Sequence, residues 1–317
     1  TVTITILTAL VLLAIVSLAS LAGLEGDGAT VRRRLFLALA LGLAPMHSAL
    51  GTGNLVSAAV ALTVLGAWLQ KRHRDVAAGL CLAIAAGIKP PIAAPVLGYA
   101  LLRGRWTTLV VAAIELALIT GAAALRLHGV PWVSGFLANN SLLLSNSGMD
   151  VIKWSDAQQQ FVNLQYLGFF LSDSARLVAW TSWIVGGGLV ATWMVHVVRR
   201  RQQPMSLLDL SAAVVISLLP IYHRVYDAAL LVLPLAWALS QTAALTRRHR
   251  VITLLCVAPF FVPGSTILEL QVQAGHISSA LIDAWWWRVF VLPHQVWALL
   301  VMSIALLSAQ MREVRTA

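Results

Sequence analysis

The chain is a succession of apolar runs, and nearly every one stops at a short cluster of arginine or lysine or at a polar break. No water-soluble fold of 317 residues can bury so many such runs. Hydrophobic residues make up 59% of the chain and charged ones 11%, with a mean hydropathy of +0.84. The bilayer must therefore serve as solvent. Hydrocarbon offers the backbone no hydrogen-bond partner, so a span has to be a helix or part of a closed barrel. Continuous Leu, Ala, Val and Ile rather than strict alternation selects helices. The expected fold class is an all-α integral membrane protein, a polytopic helical bundle forming one transmembrane domain over residues 1–317.

A net charge of +10 raises the question of nucleic acid. These cations, however, sit in small groups at the ends of apolar runs, which is the signature of membrane topology rather than of a phosphate-tracking surface. No nucleic-acid partner is expected. Cys81 and Cys256 both lie inside apolar segments, so they read as core residues rather than as a disulfide framework or a metal site.

Placing each basic cluster in the cytoplasm gives one consistent path through the membrane. The clusters are Arg32 to Arg34, Lys71 to Arg74, Arg103 with Arg105, Arg199 to Arg201, Arg247 to Arg250, and Arg312 with Arg315. Between them the runs at 2–22, 35–46, 54–70, 76–89, 91–102 and 106–126 alternate in direction. A polar outer loop follows at 127–175, and then runs at 176–198, 207–221, 225–241, 250–263 and 287–310. About eleven transmembrane or half-spanning helices result, and several are too short to cross a core about 30 Å thick. Within 76–102 the sequence Lys89-Pro90-Pro91 falls midway between two basic clusters. A hairpin with Lys89 at its apex keeps both clusters inside, whereas one tilted helix would put Arg103 outside; the hairpin is the preferred reading.

Sixteen of the 22 Lys and Arg residues fall on the cytoplasmic side of this path. The other six are Lys89, Arg126, Lys153, Arg176, Arg224 and Arg288, all near outer helix ends or in outer loops. Ionisable groups at membrane depth are costly and mark substrate paths more often than not. Lys89, at a proline-broken tip, is placed to meet a phosphate at the membrane surface; the alternative is a cation snorkelling to water. The segment Tyr222-His223-Arg224-Val225-Tyr226-Asp227 offers a titratable ring, a permanent donor fork and a carboxylate. The alternative there is a connecting turn held by an Arg224–Asp227 pair. Asn54, after Gly51-Thr52-Gly53, either donates to a sugar or head group or caps the next helix. Asn140-Ser141 is a weaker candidate in the outer loop. Glu115, deep in 106–126, reads as an acid paired with another helix.

The order of several short motifs resembles glycosyltransferase family 87. It comprises Gly51-Thr52-Gly53-Asn54 before an apolar span, Ala78-Gly79-Leu80 opening a later one, Ile88-Lys89-Pro90 at its tip, and Arg103-Gly104-Arg105-Trp106 after the return. The family's Gly-Gln-x-Asn becomes Gly-Thr-Gly-Asn here. Asn140-Ser141-Leu142 and the stretch from Leu218 to Leu233 are similar to further family segments, with Tyr222-His223-Arg224 standing where Trp-x-His is common.

The resemblance implies a type C glycosyltransferase fold. It further implies transfer of a hexose, mannose in the first instance, from a polyprenyl-phosphate donor to a lipid or glycan acceptor on the outer face of the plasma membrane. In that setting Lys89, Asn54, Arg224, Tyr222, Asp227 and Asn140 would bind substrate and His223 would act catalytically. The transfer is expected to be inverting and to need neither metal nor cofactor. The family's presumed catalytic aspartate belongs to a first outer loop, expected to lie upstream of Thr1. A transporter or ligase of lipid-linked glycans is the rival reading.

Overall fold

The structure is a computed structural model that describes residues 2–24, 29–127, 131, 134–135, 137–138, 161–221, 223–240, 246–282 and 284–316. Among these residues helix is the regular secondary structure, with an isolated antiparallel bridge between Phe161 and Arg224 and no strand. Each of the eleven apolar runs contains helix. They are α1 (Val2–Leu21), α2 with α3 (Thr30–Gly42 and Ala44–Gly51), α4 (Val56–Lys71), α5 (Asp75–Ile88), α6 (Pro90–Leu102) and α7 (Trp106–Arg126). After α8 (Leu164–Leu171) come α9 (Ala175–Arg199), α10 (Leu207–Ser217), the 3-10 turn Val225–Leu231 leading into α11 (Val232–Leu239), α12 (Arg247–Val257), α13 (Ser265–Gln273) and α14 (His294–Thr316).

Length sorts these helices into spanning and shorter ones. Among the described residues, α1, α7, α9 and α14 are long and apolar enough to cross a bilayer, and the bent pair α2–α3 makes a fifth if counted as one span. The remaining apolar helices have 10–17 residues, so at about 1.5 Å per residue they reach no more than about 25 Å. They can terminate at depth because neighbouring helices cover their ends, which lipid could not do. The 50° bend between α2 and α3 lies at Leu43, two residues before Pro45. Proline removes a helical donor and crowds the preceding turn, so the helix restarts there instead of continuing.

The basic clusters gather at one end of the bundle. The Lys71 ammonium donates to the Leu21 carbonyl at the end of α1 (2.7 Å), and the Arg103 guanidinium donates to the Arg200 and Gln203 carbonyls beyond α9. Arg200 in turn pairs with Glu313 of α14 at 2.9 Å and with the buried carboxylate of Asp209 at 3.6 Å. Arg105 reaches Asp75 at 3.4 Å, which joins the start of α5 to the end of α6. That contact makes 75–102 a hairpin with Lys89 at the far end. Two prolines explain the apex. Residues before proline favour extended backbone, and Lys89 has φ −152° and ψ 94°, closing α5 while Pro90 opens α6.

α7 lies along the outside of the bundle, exposing Trp106, Val110, Ile114 and Leu118. It meets α5 where Gly79 has no side chain, because a Cβ there would come within 2.7 Å of the Thr108 carbonyl and 2.8 Å of Val111 Cβ. Small residues let membrane helices approach this closely. Gly79→Val is therefore expected to lower stability by about 1–3 kcal/mol through overpacking, read as a lower midpoint of thermal unfolding in detergent. Glu115 on the same helix departs from its expected pairing: it is half-buried, and no described residue gives it a hydrogen bond or ion pair.

Candidate active site

The hairpin apex carries Lys89 to the end of the bundle opposite the basic clusters, where the 3-10 turn Val225–Leu231 meets it. Lys89 Nζ donates to both Asp227 oxygens, at 2.6 and 2.7 Å. It also stands 4.9 Å from the centroid of the Tyr226 ring. On the other side of the carboxylate, His223 Nδ1 lies 3.0 Å from Asp227 Oδ2, and the Arg224 backbone N–H donates to the same oxygen at 3.0 Å. Asp227 and His223 are fully buried, while the Lys89 side chain is 19% exposed.

This arrangement revises two sequence expectations. Lys89 is not a lone cation, since its charge is matched by Asp227. Two of its three N–H groups have partners in that carboxylate, which leaves the third for a ligand at the exposed tip. The Asp227 carboxylate, in turn, binds Lys89, His223 and the backbone of Arg224, so it is the centre of a cluster and more than half of a local Arg–Asp turn.

The energetics say what such a cluster is for. A charge pair at about 4 Å gains roughly 4 kcal/mol at an effective dielectric near 20, while desolvating each ion costs several kcal/mol. The pair therefore contributes little net stability, yet removing either member leaves a stranded charge. Buried charges of this kind are better accounted for by chemistry than by folding.

The proton positions follow from the partners. A carboxylate only accepts, so Nδ1 of His223 carries the hydrogen, and a neutral ring presents Nε2 as an acceptor. That Nε2 is buried and has no hydrogen-bond partner among the described residues. A carboxylate fixing one ring nitrogen while the other stays open is the arrangement that orients a histidine as a base.

The backbone around the cluster is held from outside. Val162 N–H donates to the His223 carbonyl at 3.1 Å and Leu164 N–H to the Leu219 carbonyl at 2.9 Å. Phe161 pairs with Arg224, and buried Asn163 caps α8 by accepting from Tyr166 N–H at 3.0 Å. Residues 161–171 thus strap the non-helical stretch beyond Pro220. The sequence reading placed this strap in the polar outer loop at 127–175. The available signal was an asparagine cap followed by the apolar run Leu164 to Leu171.

Asn54 sits at the same end of the bundle, at the start of α4, which packs against the 3-10 turn. Its Oδ1 accepts from Val56 N–H at 3.0 Å, so the helix-capping role is realised, and no hydrogen bond joins it to Lys89, His223 or Asp227. Asn140 and Tyr222 lie outside the described residues.

Fold and site together define a polytopic helical membrane protein with a buried acid–base cluster at the end of the bundle remote from its basic face. The chain belongs to glycosyltransferase family 87, whose model matches residues 1–220, and it is accordingly a membrane glycosyltransferase with a sugar donor and an acceptor. The matched residues include Asn54 and Lys89; His223, Arg224 and Asp227 follow them. No curated protein and no solved structure matches the chain.

Proposed function

We propose that the protein transfers a hexose, mannose in the first instance, from a polyprenyl-phosphate sugar to a lipid or glycan acceptor at the outer face of the plasma membrane. The observation that carries this reading is the Lys89–Asp227–His223 cluster at the end of the bundle opposite the basic clusters. Arginine and lysine are retained on the cytoplasmic face of membrane proteins, which supports an outer-face position for the cluster. Mannose and the polyprenyl donor rest on the resemblance of the Lys89 and Asn54 motifs to polyprenol-phosphate-mannose-dependent members of the family.

In this reading the donor's lipid tail lies between helices and its phosphate meets the free N–H of Lys89 together with the Arg224 side chain. The acceptor hydroxyl oxygen attacks the anomeric carbon and forms the new glycosidic bond. The bond from that carbon to the phosphate oxygen breaks, and polyprenyl phosphate departs with the electron pair. His223 Nε2 takes the hydroxyl proton, with Asp227 holding the ring and meeting the charge that forms on it. Tyr222 and Asn140 are assigned to the sugar, and Asn54 to the frame of the site through α4.

The test is to supply labelled polyprenyl-phosphate mannose and an acceptor to the complete protein in proteoliposomes. A labelled glycosidic product together with released polyprenyl phosphate is expected. Movement of the donor across the membrane with no new bond would favour the transporter reading instead. In the same assay Lys89→Ala is expected to raise the donor KM about tenfold or more, the scale of one lost charge-assisted contact. An unchanged donor KM would remove Lys89 from the phosphate site.

A further inference from the structure

At the basic end of the bundle, far from the catalytic cluster, α12 and α14 leave a cavity of about 450 Å³ between them. On α14 it follows the stripe Val301, Ile304, Ser308 and Arg312, and on α12 it is bounded by Arg248, His249 and Ile252. From Val301 to Arg312 the helix rises about 16 Å at 1.5 Å per residue. That is about half of a hydrocarbon core about 30 Å thick, the depth of one leaflet.

Polarity changes along that depth in one direction. The deep end is aliphatic, with Val301, Ile304 and Ile252. Ser308 stands one turn below the mouth, and the mouth itself carries Arg248, Arg312 and His249. No aspartate or glutamate lines the cavity, and the Arg248 guanidinium has no hydrogen bond or ion pair among the described residues. His249 is 6% exposed, yet its Nδ1 has no hydrogen-bond partner among the described residues. Two guanidinium groups converge at the mouth with His249 beside them and no carboxylate among the described lining residues, which is the demand an anion would satisfy.

We propose that this cavity is a binding site for one anionic phospholipid of the inner leaflet. An acyl chain lies along Ile252, Val301 and Ile304, the ester region meets Ser308, and the phosphate lies between Arg248 and Arg312 against His249. Basic pockets between membrane helices on the cytoplasmic side recognise lipid head groups in this way. A bare phosphate would leave the aliphatic part of the groove unfilled, and a zwitterionic lipid would bring its own cation to a mouth that already holds two.

Native mass spectrometry of the delipidated chain in neutral detergent tests this, with phosphatidylglycerol, phosphatidylcholine or sodium phosphate added in turn. One phosphatidylglycerol adduct is expected at a concentration where phosphatidylcholine gives none, and equimolar phosphate should not displace it. The double variant Arg248→Gln with Arg312→Gln should weaken the adduct about 30-fold, the effect of two surface cations at about fivefold each. Ile304→Trp, at a half-exposed position, should abolish it while keeping both charges. Equal adducts with phosphatidylcholine, full retention in the double variant or in Ile304→Trp, or displacement by phosphate alone would each overturn the assignment.

Discussion

Replacing Asp227 with asparagine is expected to lower turnover by about 10²–10³-fold and stability by about 3 kcal/mol. The stability loss follows from geometry: the carboxylate accepts from the ammonium of Lys89, from His223 and from the Arg224 N–H, and it is fully buried. An amide of the same shape keeps the packing but strands the Lys89 charge, and breaking a buried pair on one side costs about 3–5 kcal/mol. Partial exposure of Lys89 puts the value at the lower end. The loss of turnover has a separate cause, because an amide can present its N–H to the ring and turn the histidine to the wrong tautomer. The double variant Lys89→Met with Asp227→Asn separates the two effects. It removes the stranded cation and keeps an amide oxygen as acceptor for the Arg224 N–H, so most of the stability should recover while transfer does not. Recovery of transfer along with stability would mean that the pair only holds the turn.

His223→Asn is expected to lower kcat by about 10²–10³-fold with little change in donor KM or in stability. The asparagine side-chain nitrogen falls near the position of Nδ1 and can keep the hydrogen bond to Asp227, whereas nothing replaces Nε2. Loss of a positioned base accounts for a rate effect of that size. In the proposed reading donor KM reflects contacts of Lys89 and Arg224 to the phosphate, so the two variants should separate: Lys89→Ala in KM, His223→Asn in kcat. Steady-state kinetics with varied donor at saturating acceptor reads both. A His223→Asn protein with full kcat would make the ring a packing residue.

The helices and the polarity of the bundle were legible in the sequence because both depend on local signals. Apolar runs have to be helical in hydrocarbon, and clusters such as Arg199 to Arg201 and Lys71 to Arg74 mark helix ends that the structure brings together. The hairpin at Lys89 was legible for the same reason, since two prolines and two flanking basic clusters leave few alternatives. What the runs alone could not fix was where each helix stops. The run at 207–221 yields a helix that stops at Ser217, because Pro220 and the strap from 161–164 end it.

The partner of Lys89 was not legible, because 138 residues separate it from Asp227 and no local pattern connects a hairpin tip to a distant 3-10 turn. Reading Lys89 as a lone phosphate-binding cation was the natural result of seeing one end of the pair. Asn54 shows the opposite failure: its capping bond to Val56 is a two-residue feature that the sequence allowed but could not choose over ligand binding. The Asp209–Arg200–Glu313 network at the basic end was missed altogether, since its acids come from two helices about 100 residues apart. Charge clusters read from sequence say where cations collect, and only the fold says which of them are already answered.

The most direct measurement is a sided transfer assay. The complete protein is reconstituted in sealed proteoliposomes, its orientation fixed by protease access to the basic loops, with labelled polyprenyl-phosphate mannose in both leaflets and a membrane-impermeant acceptor on one side only. Product should form when the acceptor is on the side opposite the basic clusters, and Asp227→Asn should slow its formation by about 10²–10³-fold. Product formed only with acceptor on the side of the basic clusters would contradict the placement of the active site at Lys89, His223 and Asp227.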